Sequence, residues 1–316
     1  MEPVVNRLAI IGQGLIGSSI TRAVSLHRIA REVVVTDASP KVRKTVAELG
    51  LGLAKVVDSS AEAVRDADLV VACVPVGQYG ALAEDIGAHL KAGAVVSDVG
   101  SVKGAVVRDM LPHLPASVHL VPAHPLAGTE NSGPESGLAD LFENRWCIVT
   151  PLEGADKQAV ETVRAFWKAL GSEVEAMPVE QHDKVLAITS HLPHLIAFSI
   201  FHTGLKNEAA SQTEIMKYSA GGFRDFTRIA SSNPVMWRDI FLNNKTAVLD
   251  VLQQFNADLS ELAGAIERDD AETIVELLST SRLTRRKVIE KEHISVTAAK
   301  REQEEAFPLA RPYGDD

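Results

Sequence analysis

The run Leu8-Ala-Ile-Ile-Gly12-Gln-Gly14-Leu15-Ile16-Gly17 restricts the choice of fold more than any other stretch of the chain. An apolar segment enters three glycines spaced G-x-G-x-x-G, and a helical pattern leaves them. The strand ends at Ile11 and the chain turns tightly at Gly12. Without a Cβ at Gly14 a pyrophosphate can approach the backbone, and Gly17 lets the next helix lie close against the strand. The helix opening at Leu15 and Ile16 presents unpaired N–H groups and a positive dipole end to phosphate. A lone glycine motif is weak support, but its context is present. Residues 15–26 have helical periodicity, residues 32–36 read as a second strand, and Asp37 ends that strand twenty positions after Gly17. An acidic side chain there accepts a hydrogen bond from the adenosine ribose 2′-OH and repels a 2′-phosphate, which favours NAD over NADP. Arg43 argues in the other direction.

The alternation of strand and helix continues. Residues 69–74 are wholly apolar, as in a parallel strand buried on both faces. Val74 and Pro75 then lead into a loop at the strand's C-terminal end, the edge where open α/β sheets bind ligands. Further strands are expected at 94–97, near 118–121, at 145–150 and at 173–176, with helices at 40–50, 79–90, 104–114 and 157–170. Residues 1–178 therefore read as an α/β Rossmann-type dinucleotide-binding domain, bounded by Pro178. After it no convincing strand occurs. Residues 180–204 are helical, with Pro193 as a kink. Asn233-Pro234 starts a long helix in which Phe241, Val248, Phe255 and Leu262 recur every seventh residue, with Leu252, Leu259 and Ile266 between them. Asp269-Asp-Ala-Glu272 resembles a capping box before a final helix. Residues 179–296 are expected to form an all-α substrate and dimerisation domain, and 297–316 a frayed or draping tail. So much apolar helical surface is hard to bury in one chain, so a homodimer through these helices is expected.

The formal charge of −10, spread along the chain, argues against nucleic acid or an anionic membrane as partner. An anionic small substrate would need locally placed cations. Cys73 and Cys147 both fall in apolar runs and read as inert buried thiols. The N-terminus leads almost directly into the first strand, and no apolar run is expected to reach the ~18 residues of a membrane helix, which together suggest a cytoplasmic protein.

Four polar constellations could carry chemistry. Asp98-Val-Gly-Ser101-Val-Lys103-Gly104 ends a strand and opens a helix; it reads either as a hydroxyl and helix N-terminus facing a substrate, or as a serine cap beside a solvated lysine. His124, in a Pro- and Gly-rich segment that reads as a loop, is stiffened by Pro125. An imidazole titrating near 6.5 can accept a proton at neutral pH, although a purely structural histidine fits the spacing too. His182-Asp183 and Ser190-His191-Leu-Pro-His194 lack metal-ligand spacing and read as polar residues lining a cleft. Gly221-Gly-Phe-Arg224-Asp-Phe-Thr-Arg228 places two arginines four apart. They suit a carboxylate clamp or, equally, surface ion pairs.

Taken in order, the glycine motif, the 98–104 segment, His124-Pro-Leu-Ala-Gly-Thr129-Glu130, Ser190-His-Leu-Pro-His194 and residues 221–230 resemble the signatures of prephenate, arogenate and cyclohexadienyl dehydrogenases. The resemblance implies an NAD(P)-dependent oxidative decarboxylation in tyrosine biosynthesis, prephenate giving 4-hydroxyphenylpyruvate or arogenate giving tyrosine. It implies that His124 hydrogen-bonds the ring C4 hydroxyl as hydride leaves, with Ser101 holding the same hydroxyl, orienting His124 and touching the cofactor. Arg228 would bind a substrate carboxylate, with Ser190, His194, Thr129, Glu130 and Gly221 around the substrate. Trp237 would line the pocket or pack in the helix core. Leu15, Ile16, Val74 and Pro75 join Gly12, Gly14, Gly17 and Asp37 around NAD, and no metal is implied. Two other classes remain open: a two-domain hydroxy- or keto-acid dehydrogenase, whose catalytic lysine has no counterpart among Lys206, Lys217 and Lys245, and a non-catalytic NAD-sensing dimer.

Overall fold

The computed structural model describes residues 2–129, 131–211, 214 and 216–306, with 289–306 described by backbone only. The chain divides into two compact units, Met1–Val251 and Leu252–Asp316.

The first unit is built on a six-stranded parallel sheet. Its strands are β1 (Val5–Ile11), β2 (Ala30–Thr36), β3 (Ala54–Val56), β4 (Leu69–Ala72), β5 (Val95–Asp98) and β6 (His119–Leu120), in the order β3-β2-β1-β4-β5-β6. Helices α1 (Leu15–His27), α2 (Pro40–Leu49), α3 (Ser60–Val64), α4 (Tyr79–Ile86) and α5 (Lys103–Met110) connect them. This is the doubly wound Rossmann order, with the ligand-binding crevice at the C-terminal ends of β1 and β4. Burial follows the period of two along each strand. Leu8, Ile10, Val33, Val35, Leu69 and Val71 enter one core cluster, while Ala9, Ile11, Val70, Ala72 and Val96 enter a second on the other face. Cover on both faces is why these strands are apolar without interruption.

The alternation past residue 120 does not extend that sheet. β7 (Ala123–Pro125), β8 (Trp146–Val149) and β9 (Glu173–Ala176) form a separate three-stranded sheet, with α6 (Lys157–Ala169) between β8 and β9. The segment expected as loop at 122–130 thus contains a short strand, antiparallel to β8, pairing His124 with Ile148 and Pro125 with Cys147. β7 lies at the edge of its sheet, where proline costs no ladder hydrogen bond.

Helices follow: α7 (Val179–Leu186), α8 (Leu192–Ser211), α9 (Gly221–Thr227), α10 (Pro234–Asn243), α11 (Lys245–Glu267) and α12 (Ala271–Ala306). Between α7 and α8 the backbone passes through a π-turn, Ala187–His191, immediately before the expected kink at Pro193. The segment Val179–Ser211 is by length and composition apolar enough over eighteen residues to cross a membrane, contrary to the expectation from sequence, and little of it is buried within the chain. Asn233 caps α10, its Oδ1 accepting from the Val235 and Met236 N–H groups. The single long helix expected from residue 234 is interrupted at Asn244 (φ −107°, ψ 31°). There the side-chain amide leaves the helix pattern to bond the Asp183 carbonyl and the His191 ring. Trp237 and Ile240 of α10 are buried in the second core cluster with the sheet residues.

The second unit takes the rest of α11 and α12. Asp269 turns the chain with φ +49°, and the cap is Asp270, whose carboxylate accepts from the Thr273 N–H and hydroxyl. The capping pair is therefore one residue later than the Asp269–Glu272 spacing suggests.

Candidate active site

The glycine turn has the steric signature of a dinucleotide site. Gly12 has φ +92°, and a Cβ on it would collide with the Cys73 carbonyl; a Cβ on Gly17 would collide with the Gly12 carbonyl. Both glycines are therefore required by backbone packing. Gly14 is different: open space lies before it, and it heads α1 with no side chain capping the helix. The first-turn N–H groups at Leu15 and Ile16 thus lie beside open space at Gly14, as anion binding at a helix N-terminus requires. Asp37 stands at the end of β2, accepting from the N–H groups of Gln13 and Ser39, both at 2.8 Å. Arg43 is turned to the Asp37 carbonyl (2.7 Å) and toward Asp58 (3.4 Å). Val74 is half-buried and Pro75 exposed just beyond β4, on the same edge.

The edge beside this turn carries His124, and a hydrogen-bonded series fixes its ring. His124 Nδ1 lies 2.9 Å from His182 Nε2, and His182 Nδ1 lies 2.8 Å from Asp183 Oδ1. The carboxylate can only accept, so His182 Nδ1 donates to it. A neutral His182 then has its lone pair on Nε2, so His124 Nδ1 donates in turn. The basic atom of His124 is consequently Nε2, which has no hydrogen-bond partner among the described residues. Burial, then the neighbouring His182, the Lys103 ammonium and His191, holds the His124 imidazole well below the ordinary histidine range. Burial likewise holds His182 low, against the pull of Asp183. For Asp183 burial pushes upward, but His182 and the Gly104 and Lys103 N–H groups outweigh it and hold the carboxyl low.

The 98–104 segment matches neither expectation in full. Its helix N-terminus is already occupied: Asp183 caps it, accepting from the Lys103 and Gly104 N–H groups at 2.8 Å each. Lys103 is not solvated but wholly buried, its ammonium 2.5 Å from Asp98 Oδ2 and 2.5 Å from the Ala123 carbonyl. Ser101 is half-buried, and its hydroxyl makes no hydrogen bond among the described residues. The partner that orients His124 is His182.

The helices bring a second set of groups. His191 is buried in the π-turn, Nδ1 facing the Asn244 side chain at 3.1 Å; burial, against the pull of Asp183, lowers it to about 4. His194 donates from Nδ1 to the Ser190 carbonyl (2.9 Å) and stacks on Trp237 with centroids 3.7 Å apart. Trp237 is thus a buried core residue whose face supports His194. Burial, opposed by the Ser190 carbonyl, and the Arg228 charge hold His194 low. Arg228 is exposed at the start of the turn Arg228–Ser231 after α9, and Gly221 and Gly222 are the exposed first residues of that helix. Thr129 is exposed, its hydroxyl accepting from the Asn131 N–H. Glu130 lies outside the described residues. Asp98 and Lys103 lie in a segment the sequence singles out, but no role was expected of either side chain, and Asn244 was not singled out at all; burial and hydrogen bonds set the three apart.

A Rossmann sheet with an open glycine cradle, beside a neutral histidine whose basic nitrogen is left free, defines the class of a dinucleotide-dependent dehydrogenase. Comparison with known proteins gives the family. Residues 20–176 match the prephenate dehydrogenase nucleotide-binding domain, and residues 178–280 match the prephenate dehydrogenase dimerization domain. The chain is 43% identical to a cyclohexadienyl dehydrogenase of Zymomonas mobilis, over 89% of this chain and 96% of that one. It is 34% identical to a prephenate dehydrogenase of Bacillus subtilis, over 89% of this chain and 76% of that one. Among solved structures, prephenate dehydrogenase from Aquifex aeolicus in complex with hydroxyphenyl propionate and NAD+ superposes with a TM-score of 0.82 at 33% identity, covering 90% and 98% of the two chains. The chain belongs to the prephenate dehydrogenase family.

Proposed function

We propose that the chain catalyses the oxidative decarboxylation of prephenate, arogenate or both with NAD, in the formation of tyrosine. The nicotinamide supplies the hydride acceptor; the protein supplies orientation, a hydrogen-bond acceptor for the hydroxyl and a carboxylate anchor. His124 Nε2 accepts the hydrogen bond of the C4 hydroxyl, raising electron density on the carbon that loses hydride while the ring carboxylate leaves as CO₂. Gly12, Gly14, Gly17 and Asp37 hold the dinucleotide, and Val74, Pro75 and Ser101 complete its site. Arg228, with His194 beside it, binds a carboxylate of the substrate, and Ser190, Thr129, Glu130 and Gly221 surround it. One observation carries this reading: the Asp183–His182–His124 series leaves a neutral imidazole with its lone pair on the only ring nitrogen not already engaged.

The exposed apolar side chains on Val179–Ser211, among them Ile188, Ile200, Phe201 and Leu205, are covered by a second copy of the chain in a homodimer. The description of the matched helical region as a dimerization domain supports this. We also infer that the protein works in the cytoplasm. The deciding assay is steady-state formation of NADH and NADPH from each of the two substrates, with and without tyrosine. NADH from at least one substrate is expected; reduction of neither coenzyme would overturn the assignment.

A further inference from the structure

We propose that Asp98 and Lys103 are positioning residues that grip both peptide groups of Ala123 and so set the place from which His124 meets the substrate. The proposal rests on the reading of His124 as the group that accepts the hydroxyl's hydrogen bond. His124 sits on β7, a three-residue strand at the edge of the small sheet. Asp98 is the last residue of β5, in the large parallel sheet that holds the glycine turn. The two sheets meet at the residue before His124. The Ala123 N–H donates to Asp98 Oδ1 (3.2 Å), and the Ala123 carbonyl accepts from Lys103 Nζ (2.5 Å). Asp98 Oδ2 takes the other Lys103 contact and the Gly100 N–H (2.7 Å).

Both side chains of the pair are fully buried. A buried ion pair is a poor source of stability compared with apolar packing, so its geometry needs another explanation. Here it joins the sheet that holds the dinucleotide to the strand that holds the base. The charged and titratable groups around it are Asp183, His182, His124, Tyr79, Cys73 and Cys147, and the Lys103 charge helps keep His124 neutral.

Lys103→Met alone strands a buried carboxylate, so the informative variant is the double substitution Asp98→Asn/Lys103→Met, which removes both charges and leaves an acceptor for the Ala123 N–H. In that variant kcat is expected to fall about 10²-fold, as for a misplacement of about 1 Å, with KM and NAD affinity close to those of the unaltered chain. The His124 imidazole signals in NMR spectra are expected to shift. A double variant with unaltered kcat, or one that loses NAD binding and kcat together, would overturn the positioning role. If the unaltered chain oxidises neither substrate, the functional reading fails instead. The NMR signals still decide the positioning role, and unmoved imidazole resonances in the double variant would refute it.

Discussion

Asp183 serves two partners with one carboxylate. It closes the N-terminus of α5 by accepting from two N–H groups, and it fixes the tautomer of His182, through which that of His124 follows. Replacing it with asparagine removes the charge and sets an NH₂ against a backbone N–H of the helix cap whichever way the amide turns, and with the NH₂ toward His182 the lone pair of His124 turns inward to Nδ1. Asp183→Asn is therefore expected to lower kcat by about 10²-fold or more with a modest change in KM, in steady-state assays. His124→Asn should cost at least about 10²-fold in turnover while NAD affinity, measured by fluorescence titration, stays nearly intact. In the proposed function Arg228 bears on binding rather than on chemistry. Arg228→Ala is expected to raise KM strongly with less effect on kcat, and an unchanged KM would place the anchor elsewhere.

At the scale of elements, α7, the π-turn and α8 bring His182, Asp183, His191 and His194 to one side, with Asn244 bridging from the break before α11. These imidazoles are neutral because they are buried, and this links the fold to pH. His191 titrates at about 4 in the fold and near 6.5 when unfolded, so between those values the unfolded chain binds more protons. Stability therefore falls as pH drops from about 6.5 toward 4, and calorimetry should show a declining Tm across that window. The decline should shrink in His191→Gln. For the same reason the acid limb of kcat/KM, set by His124, is expected below pH 6.5. The parallel strands, other than the short, half-exposed β3, and the Asn233 cap were legible in the sequence because strand burial and capping are local patterns. In the second sheet β8 and β9 fall where strands were expected, but β7 was not legible, since His124-Pro125 reads as loop until β8 pairs with it. Nor was the burial of Lys103: a lysine in a helix's first turn looks solvated until Asp98 and the Ala123 carbonyl close over it. The break at Asn244 lies inside a regular heptad, and what marks it, the contacts of its side-chain amide with the Asp183 carbonyl and the His191 ring, is tertiary.

At the scale of the whole molecule, the first unit is completed by helices far along the chain: Trp237 and Ile240 fill the same core cluster as β1 and β4. The apolar helix Val179–Ser211 is left largely uncovered within one chain. Sedimentation should accordingly report a dimer, and a charged pair such as Phe201→Glu/Leu205→Lys should shift it to monomer. The π-turn at Ala187–His191 adds a constraint on how chains of this kind change length. Such a turn holds one residue more than the α-turn it replaces, like an insertion absorbed without a loop. Losing one residue inside the turn would give a regular α-helix with every later side chain on the face it now holds, whereas losing one just after it would rotate those side chains by about 100° about the axis. In that second case His194 would leave the face of Trp237 while His182 and Asp183 stayed in place. Inside the turn a single-residue deletion is therefore a change of helix type alone, and just beyond it a change of the face that His194 presents.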